Sequence, residues 1–169
     1  LQFTGWYKLS HFLSDAGQFG TTPLLNYFAF ERGWQRGIDA AIKLQLTDNL
    51  SARGNVAWGQ CKGYGLQSGH FLLEAKEIAD INSHGGVFCD HMQTLTSSAV
   101  VTYKFLERTT MTGQMLFASG LRTAENADAK TNSTHSPSYT IYNLSIAHVF
   151  LLPWEGQKFL LGFDIINLL

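Results

Sequence analysis

Tyr139-Thr140-Ile141-Tyr142-Asn143-Leu144-Ser145-Ile146-Ala147-His148-Val149-Phe150 decides the fold. Tyr142, Leu144, Ile146 and Phe150 share one parity, whereas Asn143, Ser145 and Ala147 share the other. A strand turns successive side chains to opposite faces, so this spacing gives one apolar face and one polar or small one. Two environments suit it: a soluble antiparallel sheet over a core, or a transmembrane barrel with lipid outside and a polar lumen within.

The same alternation recurs along the chain. Residues 1–13 set Phe3, Gly5, Tyr7 and Leu9 against Gln2, Thr4, Lys8 and Ser10. Residues 34–47 set Ile38, Ala40, Ile42, Leu44 and Leu46 against Asp39, Lys43 and Gln45, with a start that reaches back towards Asn26. Residues 50–60, 92–105, 109–120 and 159–166 behave alike, which gives seven or eight strands in an up-and-down order. A Lys or Asp at a bilayer midplane costs about 2–4 kcal/mol, so only the uncharged parity can meet lipid. Lys8, Asp39, Lys43, Arg53, Lys104 and Asp164 all fall on the other parity and are expected to face a lumen.

The connections carry a second pattern. Residues 47–49, 106–108 and 151–157 read as short turns. Residues 61–91 and 121–137 read as long loops, and 14–25 as a polar, glycine-bearing one. Alternate hairpins therefore gather short turns at one end and long loops at the other, as in outer-membrane barrels. Aromatic residues collect near strand ends (Trp6, Tyr7, Trp58, Tyr103, Phe105, Phe150, Trp154), where interfacial girdles lie.

Composition narrows the class. Lys and Arg total 12 against 13 Asp and Glu, a net charge of −1 that gives no footprint for nucleic acid. Charged residues are 15%, well below the usual quarter of a soluble domain. No apolar run reaches the length of a membrane helix. If the chain crosses a membrane it does so as strands, because only helices and closed barrels satisfy the backbone in lipid.

Four segments resemble one family. Glu31-Arg32-Gly33-Trp34-Gln35-Arg36-Gly37-Ile38-Asp39 resembles the "RG-x-E" strand of TonB-dependent outer-membrane receptors. Ser119-Gly120-Leu121-Arg122-Thr123 resembles their "G-S-G-x-R" loop, and Pro137 to Leu144 their "Y-x-x-Y-N-L" strand. Phe163-Asp164-Ile165-Ile166-Asn167-Leu168-Leu169 resembles the "F-D-I-x-N-L-F" segment before their final strands. The resemblance implies that residues 1–169 are the C-terminal portion of a large transmembrane β-barrel, a fragment without plug domain or final strands. It implies a bacterial outer membrane and transport rather than catalysis. The ligand would be an iron chelate, cobalamin or a glycan, and the energy would come from the TonB complex. The expected partners are the lipid bilayer, the plug of the same full-length chain, that complex and the small-molecule ligand. Two readings compete: a complete small outer-membrane barrel, structural or adhesive, and a soluble lipocalin-like ligand-binding barrel.

Candidate chemistry is sparse. Cys61 and Cys89 flank the longest loop, and a disulfide there would restrict the open loop by about 3–4 kcal/mol; two unpaired thiols are the alternative. Within that loop, residues 69–81 change to a helical period, with Leu72, Ala75, Ile78 and Ala79 on one face and Glu74, Glu77 and Asp80 mostly opposite. Gly85-Gly86 should stop this short helix. His70, Glu74, Glu77, His84 and His91 are the loop residues expected to touch a ligand; packing of the loop on itself would explain the helix equally. His70, His84 and His91 with Cys89 and Asp90 match no regular zinc spacing. His135 and His148 look incidental, and His11 is uninformative. No nucleophile elbow, phosphate-binding loop or H-E-x-x-H is present, so the reading assigns no catalytic residue, metal or cofactor.

Overall fold

The computed structural model describes residues 1–18, 25–68, 75–83, 85–89, 92–123, 134–154 and 156–168. They form an all-β fold of antiparallel strands with one short helix. The long strands are β1 (Gln2–Gln18), β2 (Leu25–Gln45), β3 (Leu50–Ser68), β5 (Leu95–Leu106), β6 (Thr109–Ala118), β9 (Tyr139–Leu151) and β10 (Lys158–Ile165). Each pairs with its neighbour in a meander, β1-β2-β3-β5-β6-β9-β10. Three two-residue strands complete it: β4 (Val87–Phe88) on β3, and β7 (Arg122–Thr123) paired with β8 (Thr134–His135). The sheet is open: among the described residues β1 pairs only with β2 and β10 only with β9.

Register carries one parity across the sheet. Leu44 lies opposite Ala52, which continues through Val101, Gly113 and Leu144 to Ile165. Leu50 leads through Tyr103, Met111 and Ile146 to Phe163. The opposite face runs from Gln45 through Ser51, Thr102, Thr112 and Ser145 to Asp164. A slip of one residue in any pair would have mixed the two faces. The apolar face is uncovered: Ile42 is 42% exposed, Val101 47% and Phe163 63%. Seven strands span about 30 Å, and the rows from Leu44 to Ile38 add about 20 Å. The resulting area, roughly 600 Å², reaches the upper end of the apolar patches found on soluble monomers.

The strands are longer than alternation alone indicates. β1 continues through 14–18 and β3 through 61–68, where loop was expected. β2 begins at Leu25 and runs for 21 residues, about twice what a bilayer requires. The added rungs are polar and glycine-rich, so they have backbone pairing without an apolar stripe. Phe12 (φ 57°) and Gly65 (φ 66°) interrupt the local geometry there. Conversely, β5 starts at Leu95, and residues 92–94 lie before it, with a bridge from Gln93 to Leu121 and a bond from Gly59 N to Thr94 O. Residues 121–137 are not all solvated loop, since they carry the β7–β8 pair.

Helix α1 covers Ala75–Ser83, a later start than expected; residues 69–74 lie outside the described residues. Gly85 and Gly86 follow it at φ 75° and 102°, values that exact little from glycine alone. Among the described residues no helix is long and apolar enough to cross a membrane, which is a statement about helices only.

Gly37 shows how close packing fixes the β1–β2 hairpin. A Cβ there would run into the Trp6 indole and the Trp58 carbonyl oxygen. Trp6 lies across that space and donates from Nε1 to Asp39 Oδ2 at 2.9 Å. Gly37→Val should displace the indole and cost about 1–3 kcal/mol. Equilibrium unfolding followed by tryptophan fluorescence measures this, and an unchanged midpoint would contradict the packing described.

Candidate functional site

The polar face is built by register. Lys8, Asp39, Lys43, Arg53, Lys104 and Asp164 share it, because each sits on the parity opposite the apolar rows. Side chains bridge neighbouring strands along it. Ser98 donates to Asn55. Thr102 and Thr112 hydroxyls approach at 3.5 Å, and Asn143 Nδ2 donates to Gln114 Oε1 at 3.2 Å. Thr112, Gln114, Asn143, Ser145 and Asp164 line a pocket of about 230 Å³. Such a wall can hydrogen-bond water, a polar solute or another chain.

One rung of this face opposes like charges. Lys43 lies directly across from Arg53, both exposed, with no carboxylate beside them among the described residues. Like charges in direct cross-strand register destabilise a sheet. Water or an anionic neighbour relieves that repulsion.

The long-loop end has its own small core. Leu13, Phe30, Leu66, Val87 and Cys89 are buried together, with Cys61 and Ile78 packed on them. Leu13 lies over Gly33 and Phe30 over Gly63, where a Cβ on either glycine would collide with it. Cys61 and Cys89 form a disulfide, their Cα atoms 5.4 Å apart, beside the β3–β4 pairing. Asn82 fixes the helix to β3: its Oδ1 accepts from Leu66 N at 2.8 Å, and its Nδ2 donates to Leu66 O at 3.3 Å. Ile78 meets the core as the helical period indicated, whereas Ala75 and Ala79 are exposed.

Of the expected ligand contacts, His70, Glu74, His84 and His91 lie outside the described residues. Glu77 lies on α1, and its side chain also falls outside them. Cys89 is bonded to Cys61, so it offers no thiolate to a metal. Among the described residues no group of His, Cys, Asp or Glu is placed to hold one.

Several contributors carry no one-dimensional signal. His148 Nδ1 lies 2.6 Å from the hydroxyl of buried Thr109, and the ring meets Phe150 edge-on. Asn143 Oδ1 accepts from Asn167 N at 3.0 Å, and Tyr142 O accepts from Leu168 N at 2.9 Å. His135 Nε2 lies 3.2 Å from Thr94 Oγ1. Slight burial, and then the charge of Arg122, hold its imidazole below the ordinary histidine range. These pairings join residues far apart in sequence.

Comparison with protein families, with curated proteins and with solved structures returns no match.

C61S/C89S should release a segment closed over 28 residues. Local opening at β4 and α1 should become more favourable by about 3–4 kcal/mol, read as faster proteolysis there. The same rate with and without the disulfide would contradict the constraint. For His135, the lowered folded value means the neutral ring favours the fold. That stability is present above the ordinary histidine range and is lost as pH falls through the folded value. Amide exchange at Leu121 and Ser136 should quicken between about pH 7.5 and pH 5 beyond the intrinsic change, and H135Q should abolish the excess.

Proposed function

We propose that this chain is the C-terminal part of the transmembrane barrel of a TonB-dependent outer-membrane receptor. The whole receptor takes up a scarce ligand of the iron-chelate, cobalamin or glycan class, with energy from the TonB complex. The observation that carries the reading is the uncovered apolar face, continuous from β1 to β10 between the turns and the upper rungs, and backed by the face that holds Lys8, Asp39, Lys43, Arg53, Lys104 and Asp164. Lipid outside and water or a plug inside would suit both faces at once.

Three further features support it. The turns 46–49, 107–108 and 152–157 share one end of the meander, while the connections 69–94 and 119–138 share the other. The open edges of β1 and β10 present unpaired backbone, which further strands of a larger barrel would satisfy. Segments that resemble the family also meet in space. Asn143 and Tyr142 bind the backbone of Asn167 and Leu168, and Gly120 sits hard against the carbonyls of Ser136 and Pro137. The class of ligand rests on the resemblance alone.

The test places a lysine on each face of the full-length protein. If the apolar face meets lipid, I42K costs about 2–4 kcal/mol of folding into the membrane, whereas T112K on the polar face costs far less. Heat-modifiable mobility in outer-membrane fractions reports the folded species. Equal tolerance of the two variants would sink the reading. Energy-dependent uptake by whole cells, lost without the TonB complex, tests the transport half separately.

A further inference from the structure

The apolar face does not end in a neutral rim at the long-loop end. One rung beyond Ile38 and Trp58 the same face carries Arg36 opposite Gln60, then Trp34 opposite Lys62, then Arg32 opposite Tyr64. Three cations thus enter within three rungs, set among aromatic rings. The Arg36 guanidinium lies 4.6 Å from the Trp34 ring centre and 5.8 Å from that of Trp58. Lys62 Nζ and the Arg32 guanidinium lie 5.4 and 5.8 Å from the Tyr64 ring centre. Trp34 Nε1 donates to Tyr64 Oη at 3.0 Å and sets the frame.

These cations lack an acidic partner among the described residues. Arg36 spends two donors on the neutral Gln60 Oε1, at 3.3 and 2.8 Å. The nearby carboxylates are engaged elsewhere: Glu31 accepts from Gln67, and Asp39 accepts from Trp6 on the polar face. A hollow of about 350 Å³ beside Arg32 is walled by Leu9, Trp34 and Tyr64. Apolar walls below and unpaired cations above are the requirements of an amphiphile with an anionic head.

We propose that Arg32, Arg36 and Lys62 form a binding site for the phosphate of a membrane lipid, whose acyl chains lie along the rows that begin at Ile38. Arginine suits phosphate because its planar donors can engage two oxygens at once. The aromatic rings hold the guanidinium groups at the level where the apolar rows stop. The site rests on the reading that this face meets lipid, and it adds which lipid chemistry is selected and where.

The test uses the full-length protein in phosphatidylcholine nanodiscs, with spin-labelled phosphatidic acid as probe and spin-labelled phosphatidylcholine as reference. Wild type should prefer phosphatidic acid. R32Q/R36Q/K62Q should lower that preference about a hundredfold, since each cation near a membrane surface contributes roughly fivefold. R32K/R36K should fall between wild type and the triple variant, since lysine keeps the charge but not the paired donors, and K43Q/R53Q on the other face should keep all of the preference. Inserted protein with no preference, or a triple variant indistinguishable from wild type, would overturn the site while leaving the membrane reading intact. Loss of the preference to equimolar inorganic phosphate would make the ligand a free ion and overturn the lipid assignment. Protein that elutes without lipid would overturn both.

Discussion

Backbone register is the constraint on which everything else depends. Each strand offers two faces, and only the hydrogen-bond ladder decides which faces join. Along the six pairings from β1 to β10 the same parity stays on the same side, save at the register shifts between Ala29 and Phe30 and between Lys104 and Leu106. The apolar rows, the polar bridges and the cation–aromatic rungs are all products of that agreement. Little buried core backs them among the described residues: one small cluster at the long-loop end, with Val100, Thr109 and Ala118 buried singly elsewhere. A sheet with so little interior depends on what surrounds it.

The two halves of the molecule were unequally legible. The rows from Leu44 to Ile38 and from Tyr142 to Ile146 alternate cleanly, and the facing of Lys43, Arg53 and Asp164 followed from parity. The upper rungs did not announce themselves. Gly33, Gly37, Gly59, Gly63 and Gly65 interrupt the pattern there, and polar residues occupy both parities, so 61–68 reads as loop although it pairs with β2. Glycine in those rungs serves packing: Phe30 needs the space over Gly63 and Trp6 the space over Gly37. Parity counts only side chains, so strands held by main-chain bonds and missing side chains escape it.

The candidate surfaces divide in the same way. Charge on a parity is a one-dimensional property, so the polar face could be drawn from the sequence. Arg32, Arg36 and Lys62 share parity with apolar residues and would count as exceptions in any alternation scheme. Their meaning emerges only when the register brings Lys62 beside Trp34 and Gln60 beside Arg36. The Asn82 clamp on Leu66 and the Thr109–His148 contact likewise join residues that no spacing rule connects.

The Cys61–Cys89 bond also changes how force travels. A pull on α1 reaches the sheet by chain through residues 69–74 to Ser68 and through residues 84–94 to Leu95, and by the disulfide to Cys61. The disulfide route is shorter than the one to Leu95, and it enters β3 within its ladder with β2 rather than at the first rung of β5. Load is then taken in shear by many hydrogen bonds at once, instead of peeling β5 from its end. β5 is thereby spared a load that would otherwise open it from Leu95.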